Sequence, residues 1–284
     1  MGQSSGRRNP AATSFTGISA NSEAVLDNHP YERITVYPSD SSLPGDEQSY
    51  RFLAESGNLN FRRSFLTWVN LVFILIVYPA IATIGVGDDP LSVLKDMSQG
   101  LLIIGLVITV FIQWSVFLIN YGGVYTEGTG LAGVGFKRIR GVDFAWAGAF
   151  LLLANLILSG LAWLLARIGL PMPGEIGLLI PTDPLGKVVW VVVSVTAGIC
   201  EETAFRGYLM TRLRIIGRFR SWLVPVIISA VVFGICHAYQ GLPGFILLTV
   251  YGAMFSLLYI RTGSLWPCII AHFFQDFGAL FFPQ

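Results

Sequence analysis

Glu201-Glu202-Thr-Ala-Phe-Arg206, Phe233-Gly-Ile-Cys-His237 and His272-Phe-Phe-Gln-Asp276 set six ionisable side chains inside stretches that are otherwise almost free of charge. A charge at the centre of a bilayer costs about 2.5–3.5 kcal/mol on insertion scales, so groups kept there mark proton relays, ion paths or reaction sites more often than they mark nothing. Helical spacing sorts their faces. Glu202 and Arg206 are i,i+4 and can pair, sharing the cost of burial. Glu201 is rotated by about 100° onto the face of Phe205 and has no partner on its own helix. Phe233 shares a face with His237, and His272 with Asp276. A carboxylate one turn from a histidine can orient the imidazole or set its tautomer. The bland reading of any one such residue is an interhelical hydrogen bond. Cys200, Cys236 and Cys268 adjoin these clusters. A buried free cysteine ordinarily acts as a small hydrophobe, although a nucleophile or a metal ligand is imaginable.

The elements that hold these groups follow from composition. The chain has 284 residues, 54% hydrophobic and only 12% charged, with a net charge of +1. An average soluble domain has about 25% charged residues. The contrast excludes an ordinary soluble enzyme and a disordered chain, and the absence of a basic excess excludes nucleic acid as a partner. What remains is an all-α polytopic membrane bundle. Residues 1–63 are different: seven Asp/Glu and six Arg stand among Ser, Asn, Gly and Pro without apolar periodicity. This stretch reads as a largely disordered cytosolic tail, with room to dock other membrane proteins. Residues 64–284 form the transmembrane domain, with about seven spans at 65–86, 100–120, 144–166, 187–213, 222–239, 244–260 and 264–282.

Lysine and arginine set the orientation. Arg62 and Arg63, then Lys137, Arg138 and Arg140, then Arg212, Arg214, Arg218 and Arg220, then Arg261 all fall on one side of a seven-span chain. The other side has Lys95, Arg167 and Lys187. The N-terminus is therefore expected in the cytosol and the C-terminus across the membrane. Glu201 and His237 both lie about 25 Å from the turn at residues 217–220, at 1.5 Å per residue. His272 is level with them if that basic hairpin protrudes into the cytosol.

The three clusters, in this order and spacing, resemble the Glu-Glu-x-x-x-Arg, Phe-x-x-x-His and His-x-x-x-Asn/Asp motifs of the CPBP intramembrane proteases. That family includes CAAX prenyl endopeptidases and bacterial bacteriocin-processing or immunity proteins. Phe205-Arg-Gly-Tyr208 and Gly263-Ser-Leu-Trp-Pro267 echo it further. The likeness covers about residues 187–276. Its third motif ends in Asp276 where Asn is more usual. The resemblance implies a metalloendopeptidase that cleaves membrane-associated proteins or peptides, in a bacterial plasma membrane. Glu201 would activate water. His237 and His272 would hold a divalent metal, zinc, or else the water and the oxyanion. Asp276 would support His272 or bind the tetrahedral intermediate. Glu202 and Arg206 would form a supporting pair beside Phe233, with Glu202 or Asp276 as further candidate ligands. The residues agree with this chemistry. Amide hydrolysis needs an activated water and oxyanion donors, and two His with a carboxylate suit zinc with an open position. The spacing is not His-Glu-x-x-His. Two other readings compete: a non-catalytic scaffold, immunity protein or accessory subunit that keeps the site residues, and an ion-coupled transporter. The second lacks the internal repeat and matched broken helices that such transporters show.

Overall fold

A computed structural model of the chain describes residues 63–83, 92–219 and 221–281. The tail, with its docking role, lies outside the described residues except for Arg63. Among the described residues every regular element is helical. Seven helices follow the expected spans: α1 (Phe65–Thr83), α2 (Gln99–Glu127), α3 (Gly141–Arg167), α4 (Pro184–Ile216), α5 (Leu223–Ile235), α6 (Gly241–Thr262) and α7 (Trp266–Gly278). Their ends carry local stop and start chemistry. Ser64 caps α1 in a reciprocal pair with Thr67. Asp183 caps α4 ahead of Pro184, accepting from the Gly186 amide at 2.9 Å.

Length divides these helices. α1 to α4, and α6 with the short turn before it, are long and apolar enough to cross a membrane. α5 and α7 have 13 residues each, about 20 Å against a hydrocarbon core of about 30 Å. α5 ends early because His237 leaves the helix at φ −111°, ψ 12°, the chain makes a 3-10 turn over Ala238–Gln240, and Gly241 takes φ 75°. That left-handed conformation turns the chain back at little cost only because the residue has no Cβ.

α4 is the buried helix. About 61% of its apolar window is inside the protein, against 28%, 22% and 17% for α1, α2 and α3. The outer helices therefore present their apolar sides to lipid, and among the described residues the buried ionisable groups gather mainly on α4, with Glu127 of α2, Asp143 of α3 and His272 of α7 beside them. Its neighbours approach closely. A Cβ on Gly198 would lie 2.9 Å from the Ile269 carbonyl oxygen of α7, the small-residue packing that brings membrane helices together. Gly198→Val will push α7 off α4 and cost about 1–3 kcal/mol through overpacking. Thermal unfolding in detergent measures it, and an unchanged midpoint would show that α7 yields freely.

A second feature corrects the charge reading. α4 runs unbroken to Ile216, and Arg212 points inward with no exposed surface. Glu127 at the end of α2 accepts from Arg212 Nε at 3.1 Å and also from its Nη2. The other Glu127 oxygen accepts from Thr67 Oγ1 at 2.9 Å and from Tyr208 Oη at 2.7 Å. Arg212 Nη1 donates to the Gly133 carbonyl at 2.9 Å. Arg214 is buried as well, donating to the Phe219 carbonyl and lying 4.9 Å over Trp222. These two arginines fasten α1, α2 and α4 together and cap the turn. Both are engaged inside the protein rather than offered as free basic groups of a loop.

Candidate active site

The helix changes its winding at the first motif. From Thr203 to Met210 α4 is a π-helix, starting directly after Glu202. Single π turns inside α-helices are frequent at functional sites, since the widened ladder frees backbone groups and re-aims side chains. Here Ser229 of α5 donates its hydroxyl to the Phe205 carbonyl at 3.0 Å, binding the two helices at this point.

Glu202 is the centre of the polar cluster. It is fully buried, and its Oε1 accepts from Arg206 Nη1 at 2.9 Å and lies 2.8 Å from His272 Nδ1. Arg206, equally buried, also donates to the Gly252 carbonyl at 3.3 Å. Its guanidinium stands 4.4 Å over the Phe233 ring and 4.9 Å over Phe255, so aromatic faces replace part of the lost water. The i,i+4 pair expected from spacing is thus present, and it does a second task. Because Glu202 holds Nδ1, the other ring nitrogen of His272 is turned towards Glu201 and Asp276. Nε2 lies 3.9 Å from Glu201 Oε2 and 3.6 Å from Asp276 Oδ2, both too long for hydrogen bonds. The orientation of His272 expected from Asp276 comes from Glu202. Asp276 is itself fixed through its backbone, whose carbonyl accepts from Trp190 Nε1 of α4 at 2.8 Å.

Glu201 is tied from another direction. Gln113 of α2, itself buried, donates from Nε2 to Glu201 Oε1 at 2.6 Å. Oε2 is buried and has no hydrogen-bond partner among the described residues. A carboxylate with one oxygen held and one free, directed at a histidine, is arranged to exchange a proton.

His237 joins the cluster through ring contacts rather than through polar ones. Its Nδ1 lies 2.8 Å from the Phe233 carbonyl. A carbonyl only accepts, so Nδ1 carries the hydrogen and Nε2 of the neutral ring is an acceptor. The ring packs 4.7 Å from Phe233, which in turn meets His272 edge-on at 6.4 Å and Phe205 at 5.2 Å. Phe233 is therefore the hub that brings the three motifs to one place.

Among the described residues no three His, Cys, Asp or Glu side chains gather closely enough to hold a metal ion. The zinc that the motifs suggested would fall to His237 and His272, with Glu202 or Asp276 as further ligands, and no step below runs through a metal. The cysteines take no polar part in the cluster: all are buried, and the Cys268 thiol is directed at the Phe255 carbonyl at 3.6 Å. Gln113 is the contact that sequence reading missed. Its one signal is an amide in the middle of a 30-residue run without charge, Met97–Thr126.

Comparison with known proteins bears on this cluster alone. Residues 183–278, which contain all three motifs, match the model of a family described as type II CAAX prenyl endopeptidase Rce1-like. This segment is the one on which the motifs resemble CPBP proteases, and the matched family is a family of proteases. No curated protein and no solved structure matches the chain.

Proposed function

We propose, from the Rce1-like character of residues 183–278, that the chain is an intramembrane endopeptidase acting on membrane-associated proteins or peptides, with a prenylated Cys-a-a-X terminus as the first substrate to try. The observation that carries this reading is the buried, unpartnered Oε2 of Glu201 facing His272 Nε2 at 3.9 Å. In the reaction a water lies between Glu201 and the scissile carbonyl. Its proton passes to Glu201 Oε2 as its oxygen bonds to the carbonyl carbon, and His237 Nε2 accepts the water's second hydrogen and fixes its direction. The carbonyl oxygen becomes an oxyanion beside His272 Nε2, which Glu202 holds in place through Nδ1. When the C–N bond breaks, Glu201 returns its proton to the leaving amine. Asp276 flanks the oxyanion side of His272. Arg138, Arg140 and Arg261 support a cytosolic N-terminus without help from Arg212 or Arg214.

The test is direct. Purified protein in lipid should release the terminal tripeptide from a fluorogenic prenylated Cys-a-a-X peptide, at a rate unchanged by chelators. About one zinc per chain, lost together with activity on chelation, would overturn the water-activation scheme. If neither that peptide nor any precursor accumulating in membranes of cells lacking the chain is cleaved, the protein is a non-catalytic component.

A further inference from the structure

We infer that Gln113 is a positioning residue for Glu201, set on a helix outside the segment that matches the protease family. The inference rests on the reading of Glu201 as the base. Gln113 Nε2 donates to Glu201 Oε1 at 2.6 Å, and the amide is buried to 5% exposure in the middle of α2. Its own carbonyl oxygen has no partner among the described residues. An amide buried in a membrane helix is costly unless it is hydrogen-bonded, and its shortest bond is the one to Glu201. Leucine or methionine would fill the same volume without that cost. The residue is explained by what its donor does.

A free carboxylate rotates about its last bond and offers its two oxygens alternately. With Oε1 held by Gln113, the group stops, and Oε2 is the oxygen that faces the reaction space and His272. Among the described residues no other side chain hydrogen-bonds Glu201. Arg206 is engaged by Glu202, and the 3.9 Å gap to His272 Nε2 is too long to hold Oε2. The adjacent residue locks the helix that carries the amide. Trp114 Nε1 donates to Thr196 Oγ1 at 3.2 Å, so two successive residues of α2 bind α4 one and a half turns apart. The register of α2 is thereby fixed to the helix that bears the motif, and the base is completed from outside that motif.

Gln113→Met keeps the volume and removes the donor. On the prenylated peptide, kcat should fall about ten- to a hundred-fold, the scale of a misplaced catalytic group. KM should stay within about twofold and the unfolding temperature should not fall, because the orphaned carbonyl goes as well. Gln113→Glu sets a second carboxylate against Glu201 and should be worse in kcat than Gln113→Met. Infrared difference spectra supply a readout without turnover: the carboxyl band absent from Glu201→Gln should shift in Gln113→Met. A wild-type kcat in Gln113→Met, an unmoved band, or a kcat loss matched by a lowered unfolding temperature would each overturn the positioning role. Normal cleavage by Glu201→Gln would instead sink the assignment of the base, whatever Gln113 does. If the peptide is not cleaved by wild type, the infrared shift alone decides.

Discussion

Glu201→Gln will lower turnover of the prenylated peptide by about 10²–10⁴-fold, the usual contribution of a general base, with the fold intact. The replacement has the same shape and sits at 8% exposure between α2 and α4. It exchanges a carboxylate for an amide that can donate to the unpartnered carbonyl of Gln113, so the unfolding temperature should hold or rise. KM should change little, since the lost function is proton transfer and not binding. Steady-state cleavage and thermal unfolding of the same preparation check both parts. Cleavage at the wild-type rate would end the proposed mechanism. Loss of activity through unfolding would instead show that Glu201 is a structural group.

Arg206→Leu will be the most destabilising single change in the site. It leaves Glu202, fully buried, facing His272 alone, and a buried ion pair broken from one side costs about 3–5 kcal/mol. A domain has only about 5–15 kcal/mol of stability in all, and for a chain of this size the loss corresponds to a fall of about 10 °C in the unfolding midpoint. The aromatic contacts to Phe233 and Phe255 disappear as well. Combining it with Glu202→Gln removes the unpaired charge and should restore much of the midpoint without restoring activity, because His272 then loses its charged partner. Scanning calorimetry of the two single variants and the double variant gives the coupling. A midpoint unmoved by Arg206→Leu would mean that Glu202 finds another cation or is already neutral.

The sequence shows what lies within one helix more plainly than what lies between two. Glu202 and Arg206 are one turn apart, so α-helical spacing alone pairs them, and the pair survives the π winding that starts at Thr203. The order of the three motifs likewise leads to the Phe233 hub. Gln113 contacts Glu201 across 88 positions, and no local pattern reports the register of α2 against α4. Arg212 was misread for the same reason. A count of basic residues treats every arginine near a helix end alike, and the Glu127 that draws this one inward lies 85 residues away. The turn at Gly241 is visible as a breaker, but the helix stops before it, at Ile235, because His237 has already left helical geometry. At that step the Phe233 carbonyl accepts from the His237 ring nitrogen, a contact that spacing permits and does not require.

The unequal lengths of the helices make the surrounding lipid a partner in how this protein sits. α4 has 33 residues, about 50 Å of helix, whereas α5 and α7 reach about 20 Å each. On α5, Leu223, Val224 and Ile227 are exposed, an apolar surface suited to acyl chains. The bilayer must thin beside it or the polar ends of the helix are drawn into hydrocarbon, at a fraction of a kcal/mol per ångström of mismatch. Lipids with short or unsaturated tails relieve that strain, and sterol- or long-chain-rich regions increase it. Bilayer thickness would thereby act as a sorting signal, drawing the molecule towards thin regions of membrane.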